Sequence, residues 1–149
     1  MALADDIRVL TGAPVFSRLP EEALRLVAFG AVRRYLAEGE VLFHEGTPAD
    51  SAYIVVSGRL GVLAADGSTT HEPAGPGTLI SELALVSAVD RKFTAIAERD
   101  CEVLGISRSL FRRLIEEYPQ AGAIIEARIR ENITRLASDA AALKARFAY

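Results

Sequence analysis

Residues 75–97, GPGTLISELALVSAVDRKFTAIA, decide how the rest of the chain is read. Gly75, Pro76 and Gly77 make a loop whose backbone can come close to a neighbouring group. Leu83, Ala84, Leu85 and Val86 follow as an apolar run, enough for about one to two helical turns. Asp90, Arg91 and Lys92 then precede a segment that alternates like a strand. Free N–H groups at a helix start, set beside a fixed cation, form a seat for an anion such as phosphate.

On both sides of this stretch the apolar period is close to two. AVRRYLA (31–37), EVLFHEG (40–46), SAYIVVSG (51–58) and RLGVLAA (59–65) read as strands with turn residues between them. Asp66-Gly67 between apolar runs signals a tight hairpin, with STTHEPAG (68–75) as its return strand. Beyond the central stretch, KFTAIAE (92–98) and CEVLGIS (101–107) supply two more. Many short strands divided by turns point to a sandwich, jelly roll or barrel.

Helices flank the strands. Leu3, Ile7 and Leu10 share one face of a first helix that Gly12 and Pro14 end. Pro20 opens a second, with Glu21 and Glu22 in its first turn, Leu24, Val27 and Ala28 on its apolar face and Gly30 at its stop. Ser107 caps a third, in which Leu110, Phe111, Leu114 and Ile115 face inward. Pro119 starts a last helix. Its residues Ile129, Ile133, Leu136, Ala140, Leu143 and Phe147 alternate steps of four and three, a coiled-coil seam that calls for a homodimer partner. The plain alternative is packing on the chain's own strands.

Composition excludes several classes. With 149 residues, half of them apolar, the chain is long enough for one domain with a real core. A net charge of −3 carries no basic footprint for nucleic acid. A single cysteine permits no internal disulfide and fits a reducing compartment. The start, MALADDIRVL, has acid where a secretory signal has base, and no segment approaches a membrane span. The expected location is the cytoplasm. His44 and His71 are the only histidines and neither has a second at ligand spacing, so no metal site is expected. Cys101 reads as a small buried apolar residue, and no nucleophile constellation accompanies it, so no catalysis and no cofactor are expected.

The order of helices, strands, short internal helix, strands and two helices resembles the cyclic nucleotide-binding domain. That domain is shared by catabolite-activator-type regulators, protein kinase A regulatory subunits and cyclic-nucleotide-gated channels. The resemblance runs from about Pro14 to Phe147. ISELALVSAVDRKFTA (80–95) is similar to the family's phosphate-binding cassette, with its F-G-E-L-A-L, short loop and P-R-A-A-T-A. It implies a mainly β chain: a β-roll or jelly roll of about eight strands over 14–106, with N-terminal helices and a short cassette helix, and two C-terminal helices over 107–149.

The resemblance also implies a site. Arg91 matches the cassette arginine, whose guanidinium would hold the cyclic phosphate of cyclic AMP or cyclic GMP; otherwise it is a surface arginine or one paired with Asp90. Glu82 matches the glutamate that accepts from the ribose 2′-hydroxyl, or else merely suits a helix start. Ser81, Leu83 and Ala84 would offer backbone N–H groups. Thr94 begins the strand beneath the site, Val62 on a strand facing the cassette would touch a purine or else is a plain core valine, and Lys92 adds positive charge. Five positions depart from the pattern: Ile80 stands for phenylalanine, Ser81 for glycine, Asp90 for proline, and Lys92 and Phe93 for small residues. Leu136 stands where some regulators place a hydroxyl against the base, and Asn132, Thr134 and Arg135 are its possible substitutes. The expected function is a nucleotide sensor that reports through its last helices to a dimer partner or another protein. The alternative is a scaffold with a degenerate pocket. After the long helix the chain has no length for a recognition helix, so DNA binding is not expected.

Overall fold

The computed structural model describes residues 3–64, 66–69 and 72–131. Nine strands are present among them: β1 (Val32–Leu36), β2 (Val41–Phe43), β3 (Pro48–Ala49), β4 (Ser51–Ser57), β5 (Leu60–Leu63), β6 (Leu79–Ile80), β7 (Val89–Asp90), β8 (Thr94–Ala97) and β9 (Cys101–Ser107). They pair antiparallel in three sheets, ordered β1-β9-β4-β6, β2-β8-β5 and β3-β7. Helices α1 (Leu3–Thr11), α2 (Glu21–Gly30) and α3 (Arg108–Glu117) flank them, and residues 119–131 continue as a fourth helix, α4. The chain is therefore mainly β with flanking helices, as its periodicities imply. None of the described helices is long and apolar enough to cross a membrane.

The two larger sheets share one core. Leu36, Val55, Ile80 and Val103 from the first meet Phe43, Leu60, Ala95 and Ala97 from the second. The opposite faces of β4 and β9 carry Ala52, Ile54, Leu104 and Ile106, which pack with Phe16, Val27, Phe111 and Leu114 of the helical layer. Strand alternation explains the division: successive side chains point to opposite faces, and both faces of β4 and β9 are covered.

Local signals placed most elements. Ser107 caps α3 by accepting from the Leu110 amide at 3.0 Å, and Pro20 immediately precedes α2. Gly30 is the last residue of α2 and also lets two helices meet: a Cβ there would lie 2.5 Å from the Leu110 Cδ1 of α3. The Asp66-Gly67 turn is present, with Asp66 accepting from the Ser68 amide at 2.9 Å. Of its expected return strand, 68–75, residues 70 and 71 lie outside the described residues. Among the described residues only single bridges join Leu63 to Thr69 and Leu60 to Ala74. Pro73 has no N–H to give to a ladder. The cassette helix is a single 3-10 turn, Glu82–Leu85.

One feature has no sequence signal. Asp6 of α1 is buried and accepts from Arg33 Nη2 at 2.6 Å on both carboxylate oxygens. Arg33 also pairs with Glu102 of β9. Three charges from distant parts of the chain thus fasten α1 to the sheet edge. The seam beyond Ile129, including Leu136, Asn132, Thr134 and Arg135, lies outside the described residues, as does His71.

Candidate functional site

β7 ends at Asp90, and alternation turns the next side chain inward. Asp90 is exposed, whereas Arg91 is only 5 % exposed. The Arg91 backbone is clamped by one loop: its amide donates to Thr47 O at 2.7 Å and its carbonyl accepts from Gly46 N at 2.8 Å. Gly46 takes φ +84°, which its lack of a Cβ permits.

The guanidinium enters the roll. Nη1 donates to the Ser51 carbonyl at 2.7 Å. Cζ lies 4.2 Å from the centroid of the Phe43 ring and 5.5 Å from that of Tyr53, within cation–π range. Nε is buried without a partner, and among the described residues Arg91 forms no ion pair. The Asp90 pairing weighed from the sequence does not form. Burial pushes the Arg91 pKa down, while Tyr53 and Asp50 act the other way.

Ser81 takes φ 61° and ψ 36°, the one non-glycine with positive φ among the described residues. The serine thus reproduces by strain the backbone that glycine adopts freely. The Ala84 amide donates to Ser81 O at 3.0 Å, so it is used inside the turn and not offered to a ligand as its sequence position suggested. The amides of Glu82 and Leu83 open the turn, before its first internal bond.

Ser81, Leu83, Ala84, Asp90, Lys92 and Phe93 line one cavity of about 60 Å³. Sites for small organic ligands run to about 300–1,000 Å³. In this conformation the cavity admits a phosphate-sized group and no nucleoside. Lys92 is exposed at its edge.

The other expected residues are placed elsewhere. Glu82 lines a separate cleft of about 310 Å³ between Gly12–Val15 and Gly77–Leu79, and burial raises its carboxyl pKa. Thr94 begins β8 and its hydroxyl accepts from the Glu45 amide at 3.0 Å. Val62 is buried on β5 opposite Ala95, and does not line the small cavity. The structure therefore gathers Ser81, Leu83, Ala84 and Lys92, sets Arg91 behind them, and turns Glu82 to another face. Among the described residues, no three His, Cys, Asp or Glu side chains group closely enough for a metal ion.

Arg108 was not singled out from sequence. Its Nε donates to Ala84 O at 2.9 Å and its Nη2 to Ala49 O at 2.6 Å, while its amide donates to Asp50 O at 2.8 Å. It ties the cassette turn, β3 and the start of α3 together. A signal existed: a cation in the first turn of a helix opposes the helix dipole and needs another reason to be there. Leu85 adds an apolar link, packing in the same core as Phe111 and Leu114.

A family model for the cyclic nucleotide-binding domain matches residues 33–118. A solved cyclic nucleotide-binding-like protein from Brucella abortus is 44 % identical, with a TM-score of 0.67 over 75 % of this chain and 98 % of that one. The regulatory domain of Toxoplasma gondii PKA, solved with cAMP, is 26 % identical, with a TM-score of 0.68 over 75 % of this chain and 44 % of that one. An uncharacterized NTE family protein of Mycobacterium tuberculosis is 34 % identical over 110 residues, 74 % of this chain and 19 % of that protein. The chain thus spans about a fifth of the length of the first curated relatives that it matches.

Proposed function

The chain belongs to the cyclic nucleotide-binding domain family, and from that premise we propose that it is a sensor module: cyclic AMP or cyclic GMP binds at the cassette, and the C-terminal helices report occupancy to a partner. The observation that carries this reading is Arg91. A charge 95 % removed from solvent, with one carbonyl, two rings and an unpartnered Nε, is costly unless something completes it. A phosphodiester would. Its oxygens would accept from the guanidinium and from the opening amides of the cassette turn.

The relay follows from Arg108 and Leu85. A ligand that moves the cassette turn pulls on the Ala84 carbonyl and hence on the start of α3. The ligand must bind one arrangement of turn and helix better than the other for this to signal. The partner in this reading is a second copy, joined along the seam through Leu136, or another protein. A module that forms about a fifth of longer relatives suits a reporter to other segments. The reading includes no catalytic step, no DNA contact by this chain alone, and a cytoplasmic location.

The 60 Å³ cavity favours a second reading, a scaffold whose pocket no longer admits nucleotide. Calorimetric titration of ligand-free protein with cyclic AMP and cyclic GMP separates the two. Saturable binding of either supports the sensor; absence of heat and of any shift in melting temperature with both leaves the scaffold. Leu136→Glu followed by light scattering tests the dimer: an unchanged mass rejects the seam as its interface.

A further inference from the structure

We propose that Phe93 is a gate on the cassette: its ring holds the site closed, and nucleotide enters only when the ring swings out. This rests on the nucleotide-binding reading above and deepens it. Phe93 is the largest side chain on the wall of the small cavity. It packs on Phe43 at 5.5 Å between ring centroids, tilted by 53°. Phe43 in turn lies beneath the Arg91 guanidinium at 4.2 Å. Phe93, Phe43 and the buried cation therefore form one continuous run behind the cavity wall.

A gate accounts for the size of the cavity. About 60 Å³ holds a phosphate group, whereas the sugar and base need several times that. Phe93 is half-buried and packs at the edge of the second core, where Phe43 is buried. Its closed position has a cost to the ligand: affinity is reduced to the fraction of its intrinsic value given by the share of molecules in which the ring is out. Removing the ring removes that penalty.

The test uses the full chain, with Phe93→Ala and Phe93→Tyr, titrated with cyclic AMP and cyclic GMP. Phe93→Ala is expected to bind about tenfold tighter or more, and Phe93→Tyr to match the parent. The sign is informative, because damage to the core would weaken binding. Equal or weaker binding by Phe93→Ala overturns the gate. A second measurement needs no nucleotide. Ala84→Cys puts a thiol on the cavity wall, and its alkylation by iodoacetamide is read by peptide mass at position 84. With Phe93→Ala added, labelling is expected to speed up about tenfold; an unchanged rate overturns the gate. Faster labelling with no nucleotide bound by any variant keeps the gate and rejects the sensor.

Discussion

The Arg108 guanidinium donates to the carbonyl of Ala84 at 2.9 Å, so the first residue of α3 grips the cassette turn. A second bond, to Ala49 O at 2.6 Å, anchors the same side chain to β3. Hydrogen bonds to a charged group contribute about 1.5–3 kcal/mol each, and these two are partly shielded from water. Arg108→Met is expected to lower stability by about 2 kcal/mol, read as a drop in the urea midpoint at constant slope. It is also expected to uncouple α3 from nucleotide, so that amide exchange in α3 no longer changes on binding. A midpoint equal to the parent's would remove Arg108 from this role.

Arg91 should separate binding from stability. Arg91→Ala is expected to weaken nucleotide binding by about 2–3 kcal/mol, the size of a charge-assisted contact. Arg91→Met, which keeps the apolar bulk against Phe43 and Tyr53, is expected to melt no lower than the parent without ligand, since a buried unpaired charge is gone. Unchanged affinity in Arg91→Ala would show that phosphate is held by other groups.

Ser81 carries backbone strain of about 1–3 kcal/mol. Glycine would relieve it and lose roughly 0.5–1 kcal/mol in chain entropy. Ser81→Gly is therefore expected to stabilise by about 1 kcal/mol, and Ser81→Val to destabilise, because a β-branched side chain tolerates positive φ poorly. Thermal melts of the two variants check the order; a lower melting temperature for Ser81→Gly would mean the hydroxyl holds the turn.

Burial raises the Glu82 carboxyl pKa. An acid raised on folding binds more protons folded than unfolded, so its ionisation opposes folding as pH climbs through the raised value. Glu82→Gln is expected to melt with the parent below about pH 4, where both states are protonated, and higher than the parent at pH 7. A constant offset across that range would mean that charge is not the cause. If Glu82 swings to the ribose in the complex, 2′-deoxy cyclic nucleotide binds the parent more weakly and Glu82→Gln narrows the difference; equal affinity for both sugars removes that role.

The Asp6–Arg33–Glu102 cluster holds α1 to the sheet. Removing one member of a buried ion group leaves the others unpaired, at a cost of about 3–5 kcal/mol. Arg33→Gln is expected to lose stability on that scale, because two carboxylates then face each other. Chemical denaturation checks it; a loss below about 1 kcal/mol would class the cluster with solvent-screened pairs.

Period, turn chemistry and capping are local, and they placed most of the strands and the helix starts at Pro20 and Ser107, while the cassette with Arg91 at its end came from the family resemblance. They did so because alternation and caps depend on residues within a few positions of each other. The return strand expected after Gly67, which among the described residues is reduced to single bridges, shows the limit: a strand needs a partner, and pairing is settled by the rest of the sheet. Tertiary structure decided the site. It turned Arg91 inward onto Phe43 and Tyr53, which lie 48 and 38 positions upstream by their numbering. It sent Glu82 to another cleft, brought Arg108 to Ala84, and set Phe93 on the wall of the small cavity. Each of these depends on side chains far apart in the chain meeting in a shared low-dielectric space, where charge, ring and volume act on one another and no local pattern records the outcome.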